Sequence, residues 1–352
     1  MKSVWITRYG KPEVLEVREA ADPTPGEGEV RVRVYASGIN FADISARVGL
    51  YPGAPPPPCV VGYEVAGVID ALGQGVDGLE EGQRVACLTR FGGYADSVCV
   101  PVNQVMPMPE AMTFSEGAAL LVNYLTAYHN IFETGPLHPG AKVLVHGAAG
   151  GVGMAAVQLL KTVPDVEIFG TASASKHDAL LEAGVQHRID YRNQDYAAEI
   201  RRITGQECPL DIVLDPLGGP DWKVGYNLLR PTGRLIAFGF ANAITGTKKN
   251  MFKVILQALR IPSFAPFDVY GKDRGLMETN RGVWGVDLGR LWDEPGLLRR
   301  EADDLFRLYD QGRIAPYVDS AFSFEDAAAA HQYIQDRKNI GKVILTTDHF
   351  AE

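Results

Sequence analysis

The apolar run Val143-Leu144-Val145-His146 leads directly into Gly147-Ala148-Ala149-Gly150-Gly151-Val152-Gly153, and helix formers follow. Glycines between a strand and a helix let a ligand approach the backbone closely. The helix contributes free N–H groups and the positive end of its dipole at the same point. That combination grips a pyrophosphate. Position 148 is Ala where the dinucleotide turn G-x-G-x-x-G has its first glycine. The pattern alone is therefore weak, and its place between strand and helix is what strengthens it. The alternative is a tight turn that holds no ligand.

Which dinucleotide is read at the end of the next strand. An NAD site usually has an Asp or Glu there, about twenty residues on, for the ribose hydroxyls. This chain has Gly170-Thr171-Ala172-Ser173-Ala174-Ser175-Lys176, with no acid before Asp178. A carboxylate would repel a 2′-phosphate, whereas Ser173 and Lys176 can bind one, so NADPH is favoured over NADH. Alternatively, the two residues only cap and solvate a helix start.

These residues need elements to hold them. The first hundred residues read as short strands between Gly and Pro. Glu29–Val34 alternates like a half-buried strand, and Val60–Ile69 and Val98–Val102 are further strand signals. Gly73, Gly75, Gly78 and Gly82 mark turns, which suits an antiparallel, barrel-like β domain. From Ser115 to Tyr128 helix formers take over. Strands are then predicted at 142–146, 167–172, 187–190, 211–215, 234–238 and 282–286. Helices are predicted at 152–163, 176–183, 196–203 and 222–229. This is an α/β pattern, a Rossmann-type doubly wound parallel sheet, with ligands expected at the carboxyl ends of its strands. Asn242–Asp273 breaks the rhythm as an inserted helix and loop. A helix near Glu301–Tyr309 and a strand at Lys342–Leu345 close the chain.

Length, charge and cysteines narrow the function. A chain of 352 residues suits two domains. A net charge of −9, with basic residues scattered among acids, argues against a nucleic-acid partner. Cys59, Cys87, Cys99 and Cys208 stand apart, without C-x-x-C, so a disulfide framework and a zinc ribbon are both unexpected. A reducing, cytoplasmic compartment is the expectation. Met1–Arg8 has charge but no apolar core, so no secretory leader is expected, and no stretch suits a bilayer. His129, His138 and His146 share no metal-ligand spacing and are read as structural. Asp43 is read as a turn or helix-start carboxylate. Lys248–Arg260 is basic and amphipathic. It could lie on an acidic membrane surface, but such a segment more often packs against a domain or a second subunit.

Ser37-Gly38-Ile39-Asn40-Phe41-Ala42-Asp43, Val61-Gly62-Tyr63-Glu64-Val65-Ala66-Gly67, the glycine turn and Asn339-Ile340-Gly341-Lys342-Val343 occur in an order that spans the chain. In these the chain resembles the medium-chain dehydrogenase/reductase superfamily and, within it, the zinc-free quinone oxidoreductases. It is most similar to the vesicle amine transport protein-1-like branch, through Thr171–His177, Asp215-Pro216-Leu217-Gly218-Gly219 and Tyr226-Asn227-Leu228-Leu229. The resemblance implies a GroES-like β-rich catalytic domain of residues 1–124 and 290–352. It also implies a Rossmann domain of residues 125–289, an active site in the cleft between them, and a homodimer.

Zinc-dependent relatives carry Cys near position 40 and His after Gly62. This chain has Asn40 and Tyr63, and 85–94 is too short for a four-cysteine lobe, so no metal is expected. Hydride transfer without a Lewis acid suits an acceptor that delocalises charge, such as a quinone or conjugated carbonyl. No side chain stands out as an obligatory acid. The resemblance further implies Asn40 and Thr126 near the nicotinamide ribose and amide, and Lys176 and Tyr191 near the 2′-phosphate. Phe238 and Gly239 would wall the cofactor crevice, and Lys342 would reach the cofactor. Tyr51 and Tyr63 would line the acceptor pocket as a stacking face. Against these, Asn40 could simply cap a turn and Tyr51 could be a packed loop aromatic. Three functions stay open: an NADPH-dependent quinone reductase, a reductase of alkenals, enones or enoyl thioesters, and a dinucleotide-binding scaffold with little turnover.

Overall fold

In the computed structural model, described for residues 1–51, 53–135, 137–244 and 275–350, the opening strands β1 (Lys2–Ile6) and β2 (Leu15–Glu19) pair antiparallel. The alternation at 29–34 begins a longer strand, β3 (Glu29–Ile39). It is followed by helix α1 (Phe41–Arg47), β4 (Cys59–Val60) on β1, and then β5 (Glu64–Leu72), β6 (Arg84–Leu88), β7 (Ser97–Pro101) and β8 (Val105–Pro107). Val30, Val32, Val34, Val65, Ile69, Val85 and Val100 pack into one core. Gly67 permits that packing, since a Cβ there would fall 2.0 Å from the Arg33 carbonyl oxygen.

Helix α2 (Phe114–Tyr128) precedes the alternating half. Strands β9 (Lys142–Val145), β10 (Glu167–Ala172), β11 (His187–Asp190), β12 (Leu210–Asp215), β13 (Leu229–Ala237) and β14 (Gly282–Gly285) form one parallel sheet. Their order is β11-β10-β9-β12-β13-β14. Between them run α3 (Gly151–Leu160), α4 (His177–Ala183), α5 (Tyr196–Thr204), α6 (Pro220–Leu228), α7 (Ala241–Ile244) and α8 (Leu276–Thr279). Val143, Leu144, Ile168, Phe169, Val213 and Leu235 are buried without alternation, as a sheet covered on both faces requires.

After α9 (Pro295–Asp310), β15 (Val318–Ser323), α10 (Ala327–Gln335) and β16 (Lys342–Thr346) return to the first half. There β16 pairs antiparallel with β3 and parallel with β15, completing a seven-stranded sheet. The chain accordingly divides into Met1–Leu125 with Leu288–Glu352, and Thr126–Asp287.

Several boundaries differ from the pattern. The helix expected at 222–229 starts earlier because Pro220 suits the first turn, and it ends at Leu228. Leu229, fully buried, joins β13 and pairs with Leu210. The helix expected at 301–309 begins at Pro295 for the same reason as α6. The helix expected from 176 opens as a 3-10 turn, Ala174–Lys176, before α4. Most of the Asn242–Asp273 insertion, and all of Lys248–Arg260, lies outside the described residues. Among the described residues no helix is long and apolar enough to cross a membrane.

A Cβ on Gly153 would stand 2.3 Å from the Gly147 oxygen and 2.6 Å from the Ala148 oxygen. Gly153→Ala should therefore destabilise the turn by about 1–3 kcal/mol in urea unfolding, as overpacking does. An unchanged midpoint and slope would contradict this packing.

Candidate active site

Lys342 and Glu64 are 2% and 0% exposed, and the Lys342 ammonium donates to the Glu64 carboxylate. It also donates to Asn40 Oδ1 at 2.7 Å and Asn123 Oδ1 at 3.4 Å. Glu64 accepts from Asn40 Nδ2 at 3.0 Å and from the Val122 N–H at 2.8 Å. A buried ion pair is tolerated when its remaining donors and acceptors are satisfied, and here they converge from the junction of β3 and α1, from β5, from α2 and from β16. Gly38 leaves the space. A Cβ there would fall 2.6 Å from Glu64 Oε1 and 2.7 Å from Lys342 Cε.

Asn40 stands at the N-cap position of α1, in a capping box with Asp43, and its side chain also bridges Glu64 and Lys342. In that box Asp43 accepts the Asn40 N–H at 2.7 Å. Nearby in sequence, Tyr63 is 6% exposed and meets Tyr51 edge-on at 5.7 Å and Phe91 at 5.3 Å. The two predicted tyrosines thus belong to one aromatic row.

In Thr126–Asp287 the glycine turn is fastened to β10. Thr171 accepts the Ala148 N–H on its carbonyl at 3.0 Å and the Gly147 N–H on its hydroxyl at 3.2 Å. The same hydroxyl lies 3.1 Å from His146 Nδ1. His146 is 2% exposed, and burial holds its imidazole below the usual range, hence neutral. Gly150 caps α3 without a side chain, so the first N–H groups of the helix keep no partner within it. A Cβ on Gly150 would meet only the Gly147 oxygen, at 3.3 Å, so this face of the turn is open to a ligand.

The end of β10 carries no carboxylate. Ser173 is 7% exposed, with its hydroxyl 3.2 Å from that of Ser175, and Lys176 is half-buried. Beyond β11, Tyr191 is 37% exposed, with the Arg192 guanidinium 6.0 Å from its ring centroid. Asp215 ends β12, accepts the Leu217 and Gly218 N–H groups at 2.6 and 3.0 Å, and has its pKa raised by burial. Phe238 N–H donates to the Asp215 carbonyl at 3.0 Å, and a Cβ on Gly239 would lie 2.7 Å from the Pro216 oxygen. The loops after β12 and β13 are therefore pressed together. Thr126, on α2, is 9% exposed.

Of the expected site residues, Asn40, Tyr51, Tyr63 and Lys342 lie in the first unit. Thr126, Gly150, Gly151, Val152, Gly153, Ser173, Lys176, Tyr191, Phe238 and Gly239 lie in the second. Glu64, Asn123 and Thr171 were not singled out from the sequence. The open turn at the start of α3 fits a dinucleotide.

The family model described as alcohol dehydrogenase GroES-like domain matches residues 26–110, and that described as zinc-binding dehydrogenase matches residues 183–345. The human synaptic vesicle membrane protein VAT-1 homolog is 50% identical over 331 residues, covering 94% of this chain and 82% of its own length. The chain belongs to the VAT-1-like branch of the medium-chain dehydrogenase/reductase superfamily. The solved structure of Escherichia coli quinone oxidoreductase complexed with NADPH is similar at 28% identity and TM-score 0.84, covering 98% of this chain and all of that one. That of CurK enoyl reductase is similar at 29% identity and TM-score 0.82, covering 98% and 99%.

The second model's name raises zinc, which the donor set does not suit. Glu64 and Asn40 are spent on the Lys342 ammonium, and among the described residues no group of three His, Cys, Asp or Glu side chains is placed to hold a metal ion.

Thr171→Val removes the hydroxyl that joins Gly147 to His146. It should cost about 1–2 kcal/mol in urea unfolding, with Thr171→Ser close to wild type. Equal stability of the valine variant would show that the staple contributes nothing.

Proposed function

We propose that this chain is an NADPH-dependent oxidoreductase that passes hydride to a quinone or another conjugated carbonyl. One observation carries the reading: the uncapped start of α3 at Gly150 beside a β10 end with no carboxylate. The N–H groups of Gly151, Val152 and Gly153 would receive the pyrophosphate, as helix starts do, while Gly150, whose own N–H donates to the Gly147 carbonyl at 2.8 Å, would give it bare backbone to approach. Ser173 and Lys176 would hold the 2′-phosphate, with Tyr191 flanking it. Phe238 and Gly239 would wall the nicotinamide side, and Thr126 would meet its amide. Asn40, fixed by Glu64 and Lys342, would face the nicotinamide ribose. Tyr51 and Tyr63 would offer ring faces to a planar acceptor.

NADPH supplies the hydride, and reduction to a hydroquinone or saturated carbonyl also takes up a proton. The similarity to a quinone oxidoreductase and an enoyl reductase supports an acceptor that delocalises charge.

Titration of the full chain with both nucleotides tests this. NADPH should bind at least about tenfold more tightly than NADH, a difference of about 1.4 kcal/mol. Lys176→Ala should erase most of that preference while leaving NADH binding unchanged. A quinone and a 2-alkenal, assayed side by side, then separate quinone reduction from alkenal reduction. Equal affinity for the two nucleotides would contradict the assignment. Tight NADPH binding with no oxidation by either acceptor would favour the scaffold reading that the vesicle-protein relative keeps open.

A further inference from the structure

Four polar side chains stand in line inside the first unit: Asp43, Tyr94, His331 and Arg47, each 0% exposed. Arg47 Nε donates to His331 Nδ1 at 3.3 Å, while its other nitrogens donate to the Gly10 carbonyl at 2.7 Å and to Gln335 Oε1. His331 Nε2 lies 3.1 Å from the Tyr94 hydroxyl, which neighbours the Asp43 carboxylate and favours its charged form. Asp43 also accepts the Asn40 N–H at 2.7 Å and the Gly62 N–H at 2.9 Å.

Chemistry sets the direction of this line. A guanidinium only donates, so His331 Nδ1 accepts and its proton sits on Nε2. That N–H donates to the Tyr94 oxygen, leaving the phenolic proton for Asp43. Burial pushes the His331 imidazole down to about 3, which keeps the ring neutral as the line requires.

We propose that Arg47 is a positioning residue for the candidate site, acting through His331 and Tyr94 to hold the Asp43 carboxyl as the acceptor that ties Asn40 to Gly62. Both ends of that tie lead to the buried pair, Asn40 directly and Gly62 two residues before Glu64. The charged and titratable groups around Asp43 are Tyr94, from the loop before β7, and Lys342, from β16. Tyr94 in turn feels Arg47 and Tyr63, and Arg47 feels Glu13. Burial raises the Asp43 carboxyl to about 7, and its three donors limit that rise. Each donor lost favours the neutral acid, so the titration midpoint must move up.

Nuclear magnetic resonance of the full chain, labelled with 13C at the Asp carboxyls, reads that midpoint. Tyr94→Phe and His331→Leu should each raise it, the first by about one pH unit or more. His331→Gln should bring it back, because an amide accepts from Arg47 at one end and donates to Tyr94 at the other. Midpoints unmoved in both breaking variants would overturn the proposal. Should those variants fail to fold, the 15N shifts of wild-type His331 decide: a neutral ring protonated on Nε2 supports the line, and an Nδ1–H tautomer or imidazolium overturns it.

Any consequence for turnover rests on the reductase reading, in which the acid limb of the pH profile should move with the same midpoint. The carboxyl titration needs neither cofactor nor acceptor. Failure of NADPH binding would therefore leave it standing, while a flat midpoint would sink the relay alone.

Discussion

Opposite charges on Lys342 and Glu64, sealed from water, oblige the chain around them to supply every remaining hydrogen bond. That obligation accounts for much of the first unit. Asn40 turns its amide inward to the pair, Asn123 and the Val122 N–H approach from α2, and position 38 carries no side chain. Asp43 joins Asn40 to the segment that carries Glu64. Where zinc-dependent relatives would gather metal ligands, this chain gathers amides and a carboxylate around an ammonium.

The second unit uses a different device. Its turn presents bare backbone and a helix start, fastened to the neighbouring strand by the Thr171 carbonyl and hydroxyl. Thr171 holds Gly147 and Ala148 while Gly153 lets the helix close against the same loop, so the shape of the turn is set by contacts within this unit.

The alternating half was legible because strand and helix periods repeat there between glycines. The observed bounds Glu167–Ala172 and His187–Asp190 are those the pattern marks. Ala327–Gln335 was not legible, since its alanine run offers no apolar stripe, and neither was Val318–Ser323, which mixes polar and apolar residues without clean alternation. Short α1 buries Asp43, Ser45 and Arg47 along with Ile44 and Ala46, so it carries no apolar stripe to read. In the site, the glycine turn announces itself by composition. The convergence of positions 40, 64, 123 and 342 does not, because pairing across hundreds of residues leaves no local trace. The only signs were a carboxylate at Glu64 within an apolar strand and a glycine at 38, features that show their purpose once the strands are paired.

A double-mutant cycle on Glu64→Gln and Lys342→Met, followed by urea unfolding, tests most directly whether the buried pair organises the first unit. Either single change strands a charge or a polar group in the interior, whereas the double change removes both charges together. The account predicts that the double variant loses less stability than the two single losses summed, by about 2 kcal/mol or more. Losses that add to within about 0.5 kcal/mol would mean that the two residues act independently, and the account would fail.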